Sequence, residues 1–287
     1  MSNRLMVTGS HFKTEAGAQL ILNEYERLLD ALPDGAARTT ISTSAGETFV
    51  VTCGTKAGPP VLLLHGGNVN SSMWLDTVRD LAPHFRVHLI DLPGEPGLSS
   101  PTRPSPMTGA FAAWLDEVFH DLGITKASLI GASMGGWLAL DYAARHPTRI
   151  DRLVVLAPMG VGRVRTSFML KVLPLMMMGR RGREKALRSI IGPVPAGVAF
   201  ADRNLLSLIQ QHFRGRMDPI PILSDGALSA ISAPMLCVVG EQDAIIRTEQ
   251  TKDRVTAKVA GSTVLSLPDA GHRIFGHAPE ILAFLKV

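Results

Sequence analysis

Six short, almost purely apolar runs punctuate this chain: VLLLHGG, VHLIDLPG, ASLIGAS, LVVLAPMG, MLCVVGEQD and TVLSLPDAG. Each is too short for a buried helix and is bounded by Gly, Pro or Asp. A strand that is apolar on both faces is what a parallel sheet covered by helices requires. Helical stretches at 71–82, 108–122, 135–146 and 247–258 separate most of the runs. Strand and helix in alternation predict βαβ units, and hence an α/β fold with a mostly parallel central sheet flanked by helices.

Three elements precede the alternation. Leu20, Ile21, Tyr25, Leu28, Leu29 and Leu32 recur at helical spacing until Pro33-Asp34-Gly35 stops them. Runs at 38–43 and 48–53, parted by Ser44-Ala45-Gly46, predict a hairpin. At the other end HAPEILAFLKV predicts a closing helix.

The rhythm fails between LVVLAPMG and MLCVVGEQD. Residues 160–230 carry no strand signal but two helical stretches, SFMLKVLPLMMMGRRGREKALRSIIG and FADRNLLSLIQQHFRG. Because sheet strands flank it on both sides, the segment is expected to be a helical cap inserted in a core formed by 1–159 and 231–287. Its methionines suit an adaptable apolar wall or ordinary lid packing. Its basic residues, eight between Arg163 and Arg188 against one acid, read as a solvated helix face.

Composition closes off several classes. The chain has 287 residues, 46% apolar, with a net charge of only +4 and no nucleic-acid-reading motif, so no nucleic acid partner is expected. No apolar run reaches the roughly 18 residues that span a bilayer. The first residues lack the apolar stretch of a secretory signal, which leads to the expectation of a cytoplasmic protein. Cys53 and Cys237 lie inside apolar runs at a spacing that fits no metal or redox motif. The oligomeric state is not fixed by the sequence; a homodimer is compatible with it.

Gly131-Ala132-Ser133-Met134-Gly135 matches G-x-S-x-G, and it follows a predicted strand and opens a predicted helix. That context places a serine at the apex of a sharp turn, where side chains two positions away on either side would collide. The Met134 amide then points into the same space at a helix N-terminus, which favours negative charge. His65-Gly66-Gly67 ends another buried strand, and Gly67 is the expected second donor to an oxyanion. Asp243 follows a later strand and can orient a histidine, although Glu241 beside it is as good a carboxylate on local grounds. His272 lies past the last strand, behind Ala-Gly. The chain order Ser133, Asp243, His272, each at the C-terminal end of a strand, is the order of a hydrolase triad on this architecture.

With these residues the sequence resembles the α/β-hydrolase superfamily over nearly its whole length. DLPGEPGLSSP resembles the loop after the family's fourth strand, in a form D-x-x-G-x-x-G-x-S that has one residue more than usual. This form, the N-terminal helix and GAFAAWLDEVFHDLG are similar to bacterial carboxylesterases that hydrolyse bulky arylpropionate esters. The family draws its acid from either of two strand ends. Here the earlier one, LAPMGVG, has no carboxylate, so the resemblance assigns the acid to Asp243. It implies attack on a small-molecule ester through an acyl-serine, an oxyanion held by Gly67 and Met134, and no metal or organic cofactor. Asn68 and Met159 are the expected pocket residues. Thioesterase, lactonase, amidase, perhydrolase and C–C hydrolase chemistry on the same triad, and a ligand-binding receptor that keeps it, are the alternatives.

Overall fold

The computed structural model describes residues 11–33, 35–192, 203–216, 218–274 and 276–286. The leader before residue 11, and the start of the second expected insertion helix at 200–202, lie outside this set.

Eight strands form one sheet: β1 (Ala37–Thr43), β2 (Gly46–Gly54), β3 (Pro60–Leu64), β4 (Arg86–Ile90), β5 (Ala127–Ala132), β6 (Ile150–Leu156), β7 (Met235–Gly240) and β8 (Ser262–Leu267). Their spatial order is β1-β2-β4-β3-β5-β6-β7-β8. The hairpin β1–β2 is antiparallel, and β2 joins β4 antiparallel. From β4 to β8 every pairing is parallel. β3 pairs with both β4 and β5, so the chain moves outward in one direction after β3 and in the other from β5. The loops leaving β3 and β5 therefore diverge and leave a crevice at the C-terminal edge, the place where open α/β sheets bind ligands.

Ten α-helices are described: α1 (Glu15–Leu29), α2 (Leu75–Leu81), α3 (Ala110–Asp121), α4 (Met134–Arg145), α5 (Thr166–Met177), α6 (Gly179–Ile191), α7 (Arg203–His212), α8 (Asp225–Ser229), α9 (Thr248–Lys258) and α10 (Ala278–Lys286). They cover both faces of the sheet. Alternate residues of one strand serve opposite cores: Leu62 and Leu64 pack with Phe111, Trp114 and Trp137, while Val61 and Leu63 pack with Ile21, Tyr25 and Trp74. This two-sided burial is why the strands read as unbroken apolar runs. In α1 the buried stripe runs through Ile21, Leu22, Tyr25, Leu28 and Leu29, whereas Leu20, expected on that face, is half exposed. A pitch of 3.6 residues cannot put Leu20, Ile21 and Leu22 all inward, and packing chose the last two.

The first insertion stretch is two helices rather than one. Pro174 stays inside α5, and the break comes at Gly179, whose φ is +66°. A proline costs one amide donor, while a left-handed glycine redirects the chain. Met177 and Met178 are strongly exposed, so these two thioethers line neither a core nor a pocket. The insertion is also divided in its packing. α5 lies against α6, but α7 lies against α1, with Leu205 and Ile209 in the same core as Ile21 and Tyr25. Its ends meet where the Leu223 amide donates to the Gly160 carbonyl at 2.8 Å. Among the described residues no helix is long and apolar enough to cross a membrane. Nor do any three or more His, Cys, Asp or Glu side chains among them sit together to hold a metal.

Candidate active site

Ser133 stands between β5 and α4 with φ +52° and ψ −111°, a conformation that L-residues rarely adopt. The neighbouring glycines permit it. A Cβ on Gly131 would run into the Gly135 carbonyl, and one on Gly135 would run into the carbonyls of Leu64 and His65. The turn is thus wedged against the end of β3. It is also anchored by backbone bonds: the Ser133 amide donates to Leu156 O at 2.9 Å, and the Ser133 carbonyl accepts from Met159 N at 3.1 Å and Trp137 N at 3.0 Å.

His272, from the loop after β8, brings Nε2 to 2.8 Å from Ser133 Oγ. Its Nδ1 lies 2.7 Å from Asp243 Oδ2. Asp243 follows β7 and is buried; its Oδ1 accepts the amides of Ile245 at 2.7 Å and Ile246 at 3.0 Å. A carboxylate only accepts, so Nδ1 carries the proton and Nε2 is left as the acceptor for the serine hydroxyl. Glu241 faces elsewhere and takes a hydrogen bond from Ser266 Oγ at 3.0 Å. At the end of β6, Ala157-Pro158-Met159-Gly160 supplies no carboxylate.

The loop after β3 lies on the other side of the serine. Gly67 abuts Met134: a Cβ there would sit 3.6 Å from Met134 Sδ. Neither the Gly67 amide nor the Met134 amide donates to a partner among the described residues. His65 is buried at the base of this loop. Its Nε2 accepts the Leu92 amide at 2.9 Å, so Nδ1 must donate to Gly66 O at 2.7 Å. Burial lowers its pKa, which keeps this clamp neutral. Met159 is half-buried beside Ser133 through its backbone, while Asn68 is exposed and its side chain lies against Gly215.

The insertion touches three of the loops that carry these residues. Arg165 N donates to Ile245 O at 2.7 Å, beside Asp243. Ile191 O, at the end of α6, accepts from Arg273 N at 3.3 Å, beside His272. Gly215 meets Asn68.

Two buried acids escaped the sequence reading. Asp91 accepts from Tyr25 Oη, from Ser71 N and Oγ, and from Leu98 N, at 2.7–3.0 Å. Glu95 accepts the Asn68 amide at 2.6 Å. The long DLPGEPGLS loop, which opens on Asp91, was the available signal, but the partners of Asp91 are scattered from 25 to 98 and its spacing does not single out Glu95.

The pattern of the family described as the alpha/beta hydrolase fold matches residues 59–183. Carboxylesterase YbfK of Bacillus subtilis is 28% identical over 91% of this chain and 92% of its own length. The crystal structure of that carboxylesterase superposes with a TM-score of 0.80 at 25% identity, covering 94% of this chain and 97% of that one. The naproxen esterase of Bacillus subtilis superposes with a TM-score of 0.83 at 22% identity over 95% of this chain and 99% of that one, which speaks for the fold. With its sheet order, its helical layers and these similarities, the chain has the alpha/beta hydrolase fold and is similar over most of its length to bacterial carboxylesterases.

Proposed function

We propose that this protein hydrolyses small-molecule carboxylic esters through an acyl-serine on a Ser133–His272–Asp243 triad. The observation that carries the reading is the unbroken hydrogen-bonded chain from Ser133 Oγ through His272 to Asp243, ending on a strained serine at the sheet's crevice. His272 Nε2 takes the hydroxyl proton as Ser133 Oγ attacks the ester carbonyl. Asp243 holds the imidazole in the tautomer that can accept and stabilises the imidazolium. The amides of Gly67 and Met134 receive the oxyanion, a donor pair in which each member is worth about 3 kcal/mol of barrier. His272 returns the proton to the leaving alcohol, then activates the water that frees the acid. Residues 160–230 act as the cap, with α5 and α6 as the wall nearest the His272 and Asp243 loops, and Asn68 and Met159 border the pocket.

The test is a panel of p-nitrophenyl esters of increasing chain length, with Ser133→Ala as control. Turnover is expected in the wild type and a loss of ~10⁶-fold in kcat in the variant. A serine-directed organophosphonate should label Ser133 stoichiometrically. Turnover that survives Ser133→Ala, or a label on another residue, rejects the reading. Thioester, lactone and amide substrates in the same panel separate the other acyl-transfer activities, and a receptor would bind without turnover.

A further inference from the structure

The loops after β3 and β4 meet beneath the candidate oxyanion site, and besides the bonds from Ser71 to Asp91 they are joined at three points. Leu92 N donates to His65 Nε2 at 2.9 Å, Asn68 N to Glu95 Oε2 at 2.6 Å, and Asn70 Nδ2 to Pro96 O at 2.9 Å. The middle contact is unlike its neighbours. It is the shortest, it ends on an ionisable carboxylate, and it grips the residue directly after Gly67. Asn68 is one of only a few non-glycine residues with positive φ, at +59° among the described residues. A left-handed asparagine is tolerated but is not favoured by its own torsional energy, so something outside it must hold it.

Glu95 is suited to that task because it cannot move far. Its own loop is cross-braced: Gly97 N donates to Glu95 O at 2.8 Å and Gly94 N to Ser100 O at 2.8 Å, while Asp91 accepts Leu98 N. Gly97 is forced by this brace, since a Cβ there would meet the Asp91 carboxylate. Glu95 is only 4% exposed, and its second oxygen, Oε1, has no hydrogen-bond partner among the described residues. A buried carboxylate with half its capacity unused is costly to keep for stability alone. Glu95 lies in the Gly94–Gly97 interval where the DLPGEPGLS loop is one residue longer than the usual family spacing.

We propose that Glu95 is a positioning residue for ester hydrolysis: by holding the Asn68 amide it fixes the peptide after Gly67 and so aims the Gly67 amide at the developing oxyanion. This rests on the reading that Gly67 is an oxyanion donor and extends it. Burial raises the Glu95 carboxyl to about 7, against the pull of the Asn68 amide, Arg216 and Arg103.

The experiment compares Glu95→Met, which keeps the volume and removes the acceptor, with Glu95→Gln, which restores an acceptor oxygen. Sites are counted by the end-point of organophosphonate labelling, and kcat and KM are expressed per labelled site on p-nitrophenyl butyrate. Glu95→Met is expected to lower kcat at least tenfold, within the ~10²–10³-fold range of a lost oxyanion donor, with KM little changed. Glu95→Gln is expected to recover kcat to within about threefold of wild type, because an amide oxygen accepts the same bond in neutral form. Three results would overturn the proposal: wild-type kcat per labelled site in Glu95→Met, a change confined to KM, or Glu95→Gln as impaired as Glu95→Met. If Glu95→Met does not fold, Glu95→Gln is measured against Glu95→Ala by the same criteria. Failure of the ester-hydrolase reading is seen separately, as absent turnover or absent Ser133 label in the wild type.

Discussion

At the scale of single residues, what distinguishes the site is how each polar atom is committed. Asp243 spends one oxygen on two backbone amides and the other on His272, which leaves the imidazole one orientation. Asp243→Asn can present its amide nitrogen to Nδ1 and reverse the tautomer. It should cut kcat by about three to four orders of magnitude, measured per labelled Ser133, with Glu241→Gln nearly neutral. The opposite ranking would transfer the acid role to Glu241. Glu95 offers a pH-dependent counterpart in stability. Its carboxyl holds a proton up to about pH 7 in the folded chain, against 4.5 for a free glutamate. Between those values the folded state binds more protons than the unfolded state, so stability falls as pH rises and levels off above about 7. The groups that oppose this shift are the Asn68 amide, Arg216 and Arg103, and neighbouring Asp91 is saturated by its own donors. Glu95→Gln removes the linkage, worth up to about 3 kcal/mol. Thermal melts should therefore show the Tm of Glu95→Gln gaining on wild type from pH 5 to pH 7.5. A gap that is flat with pH would contradict the raised carboxyl.

At the scale of elements, the turn from β5 into α4 is the most tightly specified part of the chain. Gly135 lets α4 start directly against the last residues of β3, and so brings the serine and the Gly67 loop to the same crevice. Gly135→Ala drives a methyl into the backbone carbonyls of Leu64 and His65, which cannot rotate away. It should lower stability by about 3 kcal/mol in urea titration and lower organophosphonate reactivity as well. By contrast a Cβ on Gly136 would sit 3.1 Å from Pro158 Cβ and 3.2 Å from Gly131 O and Pro158 Cα, tight but without the closer carbonyl clashes met at Gly135, so Gly136→Ala should be milder. If the two variants lose equal stability, close approach to β3 is not what Gly135 provides.

At the scale of the whole molecule, the segment between β6 and β7 serves two masters. α7 completes the core over α1, where a Cβ on Gly17 would meet the His212 side chain. α5 packs on α6, which touches α7 only lightly and is tied through Ile191 to the His272 loop. Removing the whole segment would strip α1 of its cover, so substrate preference is better tested by exchanging residues 166–191 for the corresponding stretch of the Bacillus subtilis carboxylesterase. The exchange should leave labelling stoichiometry intact while moving the chain-length preference on the ester panel toward that enzyme. An unchanged preference would mean that α5 and α6 do not form the substrate wall.

The sequence by itself determined the sheet and its helical layers, because two-sided burial writes the inner parallel strands β3 to β7 as short apolar runs closed by Gly, Pro or Asp, while edge strand β8 reads the same way though only partly buried. It also determined the place of Ser133, because a left-handed serine between strand and helix demands glycine at 131 and 135 for backbone clearance. The resemblance pointed to Asp243 rather than Glu241, two positions earlier, but local sequence left the two equal; only the tertiary structure brings Asp243 Oδ2 to His272 Nδ1 and sets Glu241 against Ser266. It alone split the insertion, since the apolar stripe of α7 does not say which surface it will cover. It alone brought Glu95 under Asn68, because a hydrogen bond between loops from different strands leaves no periodicity in either one.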